Sequence, residues 1–220
     1  MKQKRKNVKF GDFIYTQPKQ LTPQFCKHLI DVYETNPIAK KIREAGVVGY
    51  HAQSDLNVKQ SEDINITDHE EFNLEDKTLS IALKKLTQNY LNKIQTFNYA
   101  YTQQLAPNYK DSGFQIQKTT PSGYYRWHHD ALYNRVYTYI FYLNDVNHKG
   151  ETQFANGLKV KPEEGKGLMF PATWEYVHRG IAPKNEIKYI VTGWMSTVDD
   201  EIALENKSNP EHHIHEHGST

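Results

Sequence analysis

The types and spacing of His128, Asp130 and His178 suit a metal ion held by two imidazoles and one carboxylate. His128 and Asp130 lie in the run Tyr124 to Asp130, where the alternation of a β-strand would send both side chains to the same face. The second imidazole must come from a distant strand, and the run Tyr176 to Gly180 supplies it. These ligands would leave three positions of an octahedral ion open, as in non-haem iron(II) oxygenases. Open positions indicate a catalytic metal site.

Lys188 adds a candidate anion site, because it lies in the strand-like run Ile187 to Met195, ten residues after His178. A buried ammonium there would suit one carboxylate of a small dicarboxylic acid. If the other end of that molecule were a 2-oxo acid, it could chelate the metal and leave one position for dioxygen. His-x-Asp alone is a weak signal in a chain with eleven histidines, and an exposed polar strand end would explain it equally well. The four residues in this order favour the metal site.

The composition predicts one domain of 220 residues in a reducing compartment. The single cysteine, Cys26, rules out an internal disulfide and fits a buried thiol. No apolar run approaches membrane-spanning length, and the basic N-terminus lacks a signal-peptide core. We therefore expect a soluble, cytoplasmic protein with no membrane partner. The 27 Lys and Arg residues nearly balance the 26 Asp and Glu residues, which argues against a nucleic-acid partner.

The first half of the chain is predicted to be mainly helical. Thr22 and Pro23 form an N-cap and first-turn pair, and that helix is expected to stop at Asn36-Pro37. The polar stretch from Gly46 to about Phe72 indicates loops and short extended pieces. Apolar residues at helical spacing between Leu74 and Phe97 predict a long amphipathic helix whose apolar stripe needs a sheet to cover.

After about Phe114 the pattern changes to short extended runs separated by turns. Together with the helices, these strands predict an α+β, mainly β fold: a double-stranded β-helix, or jelly roll, with N-terminal helices packed on one sheet. The candidate strands are Phe114 to Lys118, Tyr124 to Asp130, Val136 to Asn144, Thr152 to Phe154, Leu158 to Lys161, Gly167 to Phe170, Glu175 to Arg179 and Ile187 to Met195.

The expected organisation has three parts. Residues 1–110 are helical support and loops within the same domain, 111–198 are the catalytic core, and 199–220 are a flexible tail. The tail contains four histidines between His212 and His217. We expect it to bind nickel or zinc loosely, without function, because no secondary structure fixes their geometry.

Four segments of the second half resemble the catalytic domain of the prolyl 4-hydroxylase group of 2-oxoglutarate/iron(II) oxygenases. They are Arg135 to Val146, Gly150 to Phe154, Gly165 to Pro171 and Lys188 to Trp194. The resemblance covers about residues 114 to 196. The first hundred residues are similar only in character to the variable helical part of such enzymes.

The resemblance implies a role for several residues. His128, Asp130 and His178 would bind Fe(II), and Lys188 would bind the distal carboxylate of 2-oxoglutarate. Thr152, Trp194 and Tyr125 would line the cosubstrate pocket, Trp194 as an aromatic at its base, although Tyr125 could equally be a core residue. Arg135 would face a peptide substrate, and Tyr124 and Trp127 could form an aromatic wall against a pyrrolidine ring or could be ordinary strand packing.

Two positions depart from the family pattern. Family members often carry a tyrosine nine or ten residues before the first histidine, where this chain has Lys118 and Thr119. Its task could pass to Tyr139 or Thr119, or be absent. The pair of glycines usual before Glu-Thr is Lys149-Gly150 here. His129 is expected to point away from the metal.

The implied activity is hydroxylation of an unactivated C–H bond by Fe(II), 2-oxoglutarate and O2, with ascorbate as the reductant that rescues oxidised iron. A prolyl residue in a peptide or protein is the expected substrate. The alternatives are the same chemistry on a small molecule or nucleobase, or a non-catalytic jelly-roll module that binds peptide or carbohydrate. All three metal ligands and the lysine are present, which argues against the last.

Overall fold

A computed structural model describes residues 9–49, 53–97, 109–132 and 134–197 of the chain. The predicted His-rich tail, 199–220, lies outside these residues. Within the part described, no helix is both long and apolar enough to cross a membrane.

Three α-helices precede the main strands: α1 (Pro23–Thr35), α2 (Pro37–Lys41) and α3 (Asn73–Gln95). Helix α1 begins as expected, since the Thr22 side chain accepts a hydrogen bond from the Phe25 amide. Asn36 ends α1 but also caps α2, because its side chain accepts from the amides of Ile38 and Ala39. The sequence pattern predicted only the stop there. Two short 3-10 helices, Phe10–Phe13 and Glu70–Phe72, complete the helical part.

Fourteen strands lie in the described part of the chain. They are β1 (Tyr15–Gln17), β2 (Glu44–Ala45), β3 (Val47–Val48), β4 (Gln53–Ser54), β5 (Glu62–Asn65), β6 (Tyr109–Asp111), β7 (Gln115–Thr119), β8 (Tyr125–His128), β9 (Arg135–Tyr142), β10 (Thr152–Phe154), β11 (Lys159–Val160), β12 (Gly167–Pro171), β13 (His178–Gly180) and β14 (Lys188–Thr197).

The strands form a double-stranded β-helix, which confirms the predicted fold. The major sheet has the order β1-β12-β9-β14-β7-β5-β2, with β6 also paired to β14. The minor sheet has the order β11-β10-β13-β8, and β3 and β4 form a separate hairpin. Every pairing is antiparallel.

Alternation along β9 separates two hydrophobic clusters. Tyr137, Tyr139 and Phe141 belong to the cluster that joins the major sheet to α1 and α3. Ile140 and Tyr142 belong to the cluster inside the roll. The apolar stripe of α3 therefore covers the outer face of the major sheet, and the inner face is left to line a cavity.

Most strands of the second half fall close to the predicted positions, but β13 begins at His178 rather than at the predicted Glu175, and β8 is shorter than predicted. It ends at His128 rather than Asp130, because its partner β13 pairs with it only from His178 to Gly180. The prediction that a continuous strand carries both His128 and Asp130 is therefore wrong. Five short strands between residues 44 and 111 were expected only as unspecified extended pieces or were missed.

Candidate metal centre and cosubstrate pocket

His128 and His178 are direct cross-strand partners on β8 and β13. Opposed residues in an antiparallel pair have neighbouring side chains, so two residues fifty positions apart in sequence become adjacent. Their ring centroids are 4.2 Å apart. The second imidazole expected from a later strand therefore lies beside the first.

Both imidazoles are held in one orientation by backbone carbonyls. The Nδ1 atom of His128 lies 2.8 Å from the Arg126 carbonyl oxygen, and the Nδ1 atom of His178 lies 3.0 Å from the Tyr176 carbonyl oxygen. A carbonyl can only accept, so each Nδ1 carries the proton and each Nε2 offers a lone pair. This is the tautomer that a metal-binding histidine needs.

Asp130 completes the cluster from the loop after β8. Its Oδ1 lies 3.8 Å from Nε2 of His128, and its Oδ2 lies 3.7 Å from Nε2 of His178. The Thr138 hydroxyl on β9 donates a 2.6 Å hydrogen bond to Oδ2, so β9 fixes the carboxylate where β8 no longer does. Two bonds of about 2 Å to one ion can span these gaps. The two Nε2 atoms and the carboxylate thus fit a divalent metal.

The electrostatics agree with metal binding. Burial, reinforced by the neighbouring His178, lowers the pKa of His128 to about 3. Burial would raise the pKa of Asp130, but His178, His128 and the Thr138 hydroxyl outweigh it and hold that pKa below its ordinary value. At neutral pH the site therefore offers a neutral imidazole and an ionised carboxylate, the states in which these groups bind metals.

A cavity of about 610 Å³ contains the three candidate ligands and extends between the two sheets. Lys188 lies in its wall, 5% exposed, with its Nζ 3.2 Å from the Gly150 carbonyl oxygen. Burial lowers the pKa of Lys188 to about 8, opposed by Glu151. Thr119 is the register partner of Lys188 and lines the same cavity. A buried cation beside a hydroxyl is suited to a carboxylate ligand.

Thr152 also lines this part of the cavity, and its hydroxyl is 2.7 Å from the Tyr142 hydroxyl. Tyr142 is buried inside the roll, so it holds Thr152 in place without lining the cavity itself. The structure therefore places Thr152 and Lys188 in the wall of the same cavity.

Tyr125 stacks on the imidazole of His128, with ring centroids 3.5 Å apart and planes at 15°. It lines the cavity, as do Tyr124 and the partly exposed Trp127. His129 is exposed, and its Nδ1 accepts a hydrogen bond from the Ala131 amide. It lines the cavity but is not one of the clustered ligands. Because β8 ends at His128, the predicted strand alternation does not apply to it.

Tyr139 does not line the cavity. The expectation that it could replace the pocket tyrosine is therefore wrong. Its side chain lies on the face of β9 that packs against the helices, and its hydroxyl donates a 2.7 Å hydrogen bond to the Gly113 carbonyl. A Cβ at Gly193 would lie 2.2 Å from that hydroxyl oxygen, so glycine is required there. Thr119 is the alternative that faces the cavity.

Trp194 lines the same cavity as Lys188 and the candidate ligands. It follows Lys188 by six residues on β14, which corresponds to about 20 Å of strand. The Arg135 guanidinium lies 3.6 Å from the centre of its ring. Trp194 and Arg135 therefore mark the end of the cavity away from Lys188.

Sequence reasoning missed several cavity residues. Thr138 could have been found by assigning Tyr139 to the helix-facing side of the strand from Val136 to Asn144. Its neighbour Thr138 then faces the cavity. Lys59, Gln115 and Gln117 also line the cavity. Lys59 carried no signal, because it lies in a polar stretch without recognisable periodicity.

Comparisons with known proteins agree with this geometry. Residues 114–196 match the family model of the 2OG-Fe(II) oxygenase superfamily. No curated protein sequence matches the chain. These residues form a 2OG-Fe(II) oxygenase domain, and the chain carries a dioxygenase that depends on Fe(II) and 2-oxoglutarate.

Solved structures share the fold at low identity. A viral collagen prolyl hydroxylase from Paramecium bursaria Chlorella virus-1, in complex with 2-oxoglutarate, is 21% identical, with a TM-score of 0.60 over 84% of this chain and 97% of that one. A Trichoplax adhaerens prolyl hydroxylase bound to a hypoxia-inducible-factor peptide is 16% identical, with a TM-score of 0.66 over 84% of each chain. A Pseudomonas putida prolyl-4-hydroxylase is 17% identical, with a TM-score of 0.55 over 84% of this chain and 93% of that one.

Proposed function

We propose that this protein hydroxylates a prolyl residue within a peptide or protein. The observation that carries the proposal is a single cavity with Lys188 at one end, the metal-ligand cluster within it, and Arg135 stacked on Trp194 at the other end. Such a cavity can hold a cosubstrate and a second molecule on opposite sides of the ligands.

His128, Asp130 and His178 would hold the iron, which supplies activation of dioxygen for C–H hydroxylation when 2-oxoglutarate is bound. Lys188 would pair with the distal carboxylate of that cosubstrate, assisted by the hydroxyls of Thr119 and Thr152. The two Nδ1 contacts to carbonyls and the Thr138 bond would keep the ligands from rotating. Preformed ligand geometry reduces the reorganisation that metal binding requires.

The substrate would enter at the Arg135 end. A guanidinium can donate hydrogen bonds to the carbonyl groups of an extended peptide. Packing on Trp194 holds the Arg135 side chain at the wall of the cavity. Tyr124, Tyr125 and Trp127 give this region an aromatic wall against which a pyrrolidine ring could pack.

The comparisons support a peptide substrate. All three structural relatives described above are prolyl hydroxylases by name, and the one from Trichoplax adhaerens is bound to a peptide. Cytoplasmic location and ascorbate as the reductant belong to the same proposal. The single cysteine supports a reducing compartment, where ferrous iron is also best preserved.

The test is a succinate assay combined with mass spectrometry of the substrates. Proline-containing peptides, free proline and single-stranded oligonucleotides are compared, and a gain of one oxygen by a peptide is expected. Arg135→Ala should impair peptide hydroxylation while slow uncoupled formation of succinate persists, and Lys84→Ala, an exposed change on α3, serves as the control. Stimulation by free proline or oligonucleotide but by no peptide would overturn the prolyl assignment.

A further inference from the structure

A second, smaller groove of about 280 Å³ lies beside the cavity, and it is lined by Arg126 and Arg179. Tyr124, Tyr125 and Gly180 line both the groove and the main cavity. The groove therefore adjoins the main cavity, within reach of a peptide chain that extends out of the metal site.

The two arginines are held by aromatic rings. The Arg126 guanidinium lies 5.3 Å from the centre of the Tyr124 ring, and that of Arg179 lies 4.5 Å from the centre of the Trp127 ring. Nε and Nη2 of Arg179 also donate to Oε1 of Gln153, at 2.9 and 2.7 Å. Stacked, hydrogen-bonded guanidinium groups lose less conformational entropy when a ligand binds.

The positive charge of the groove is not neutralised locally. Among the described residues, no Asp or Glu forms an ion pair with Arg126 or Arg179. The described lining of the groove contains no carboxylate, and that of the main cavity contains only Asp130. The chain as a whole has a formal net charge of only +1, so this concentration of cations is local.

We propose that the groove is a subsite for an acidic side chain of the peptide substrate, Asp or Glu, near the residue that is hydroxylated. The inference rests on the proposed function and adds to it a preference for acidic sequences. Planar guanidinium groups match carboxylates in shape and charge. The ring of Trp127, 45% exposed, offers an apolar surface for the methylene groups of that side chain.

The test compares proline peptides that differ only by Glu or Gln at one position, moved from one to six residues on either side of the proline. At one or more spacings the Glu peptide should show a kcat/KM about two- to fivefold higher, as expected for a partly exposed ion pair. The double variant Arg126→Gln/Arg179→Gln should abolish the difference in kcat/KM between the Glu and Gln peptides. Lys84→Gln, the matched control on α3, should retain it.

Charge reversal adds a second readout. Arg126→Glu should favour a Lys peptide over the Glu peptide at the same spacing. Equal rates for Glu and Gln at every position, or a preference that survives in the double variant, would overturn the inference.

Failure of the proposed function has a different signature, since then no peptide gains oxygen. Calorimetric binding of the Glu and Gln peptides to protein loaded with Mn²⁺ and 2-oxoglutarate still tests the groove, and equal affinities would overturn the subsite. If an oligonucleotide bound to the wild type and not to the double variant, while the peptides were not discriminated, the groove would be a phosphate site instead.

Discussion

Lys59 and Asp63 form an ion pair of 2.6 Å between Nζ and Oδ2, and the two residues are only 4% and 1% exposed. Asp63 lies on β5 of the major sheet, whereas the backbone of Lys59 forms a bridge to Tyr125 on β8 of the minor sheet. One short segment thus belongs to both sheets. The ion pair holds it at the bend, beside the strand that carries His128.

Asp63→Asn is expected to destabilise the fold and weaken metal binding. The change leaves the Lys59 ammonium buried without its partner, which costs about 3 kcal/mol of unfolding free energy. It also loosens the segment that pairs with β8. Chemical denaturation and Mn²⁺ titration measure the two effects. Lys59→Met/Asp63→Leu, which removes both charges, should recover most of the stability.

Glu75→Gln is the matched control for this change. Glu75, at 7% exposure, pairs at 2.6 Å with His28 and joins α3 to α1, away from the cavity. The Glu75→Gln substitution should reduce the stability of the fold without altering the Mn²⁺ affinity of the folded protein. If Asp63→Asn kept both wild-type stability and wild-type Mn²⁺ affinity, the ion pair would have no part in positioning β8.

Lys188→Met should make the protein more stable and a much weaker binder of 2-oxoglutarate. The folded-state pKa of Lys188 is about 8 against an ordinary value of 10.5, so folding below pH 8 keeps a charge where burial disfavours it. Removing that charge should add up to about 3 kcal/mol at pH 7. The gain should shrink as pH rises from about 8 to 10.5, where the unfolded chain also loses the proton. Urea denaturation at several pH values measures this gain. A loss of stability in Lys188→Met at pH 7 would contradict the conclusion that burial of the charged lysine destabilises the fold.

The apparent affinity of the wild type for 2-oxoglutarate should fall above about pH 8. Free protein then loses the Lys188 proton, and binding the dicarboxylate must restore it. The KM for 2-oxoglutarate should therefore rise, at most about tenfold per pH unit. Steady-state assays at fixed iron from pH 6.5 to 9.5 provide the measurement. A KM independent of pH over this range would mean that another group pairs with the distal carboxylate.

His128→Ala and His178→Ala should both abolish turnover, because each removes one of two imidazole ligands. Their effects on stability should differ. His178 is buried with its ring centroid 4.9 Å from that of Phe170, so its loss leaves a cavity and costs on the order of 1 to 2 kcal/mol. The side chain of His128 is 14% exposed against 6% for that of His178, so its truncation should cost less. Mn²⁺ titration must be done after removal of residues 199–220, since that His-rich tail would bind metal. Full turnover by His178→Ala would overturn the metal assignment.

Lys149→Gly should stabilise the protein by about 1 kcal/mol. Lys149 has φ of 66°, in the left-handed region, and precedes Gly150 with φ of 84°. The family pattern of two glycines suits this turn better than the lysine does. Thermal denaturation measures the gain, and Lys149→Ala is the control, since alanine keeps the Cβ and should give little or none.

Local sequence pattern was sufficient to predict most strands of the second half, because turn residues flank them. The exceptions are β8 and β13, whose ends depend on their pairing with each other. The sequence pattern also found the two histidines and Lys188, whose chemistry stands out. It also named Asp130 as a ligand, but it placed this residue on a strand, whereas the carboxylate lies in the loop after β8 and depends on a hydrogen bond from Thr138 on β9. It gave Tyr139 the wrong face, because a fully buried strand has no polar side to reveal its phase. Lys59 acquires its role only through pairing with β8, which no local signal encodes.

The antiparallel pairs that close the roll unite distant parts of the chain: Tyr15 on β1 pairs with Met169 on β12, and Ile64 on β5 pairs with Ile116 on β7. Pairings of such long range are slow to form, because the intervening loop loses its entropy before any contact stabilises it. The segment that anchors β8 belongs to the first half of the chain, while the ligands on β8 and β13 belong to the second. We therefore expect the metal centre to form late in folding, so that acquisition of iron would report that the two halves of the fold have come together.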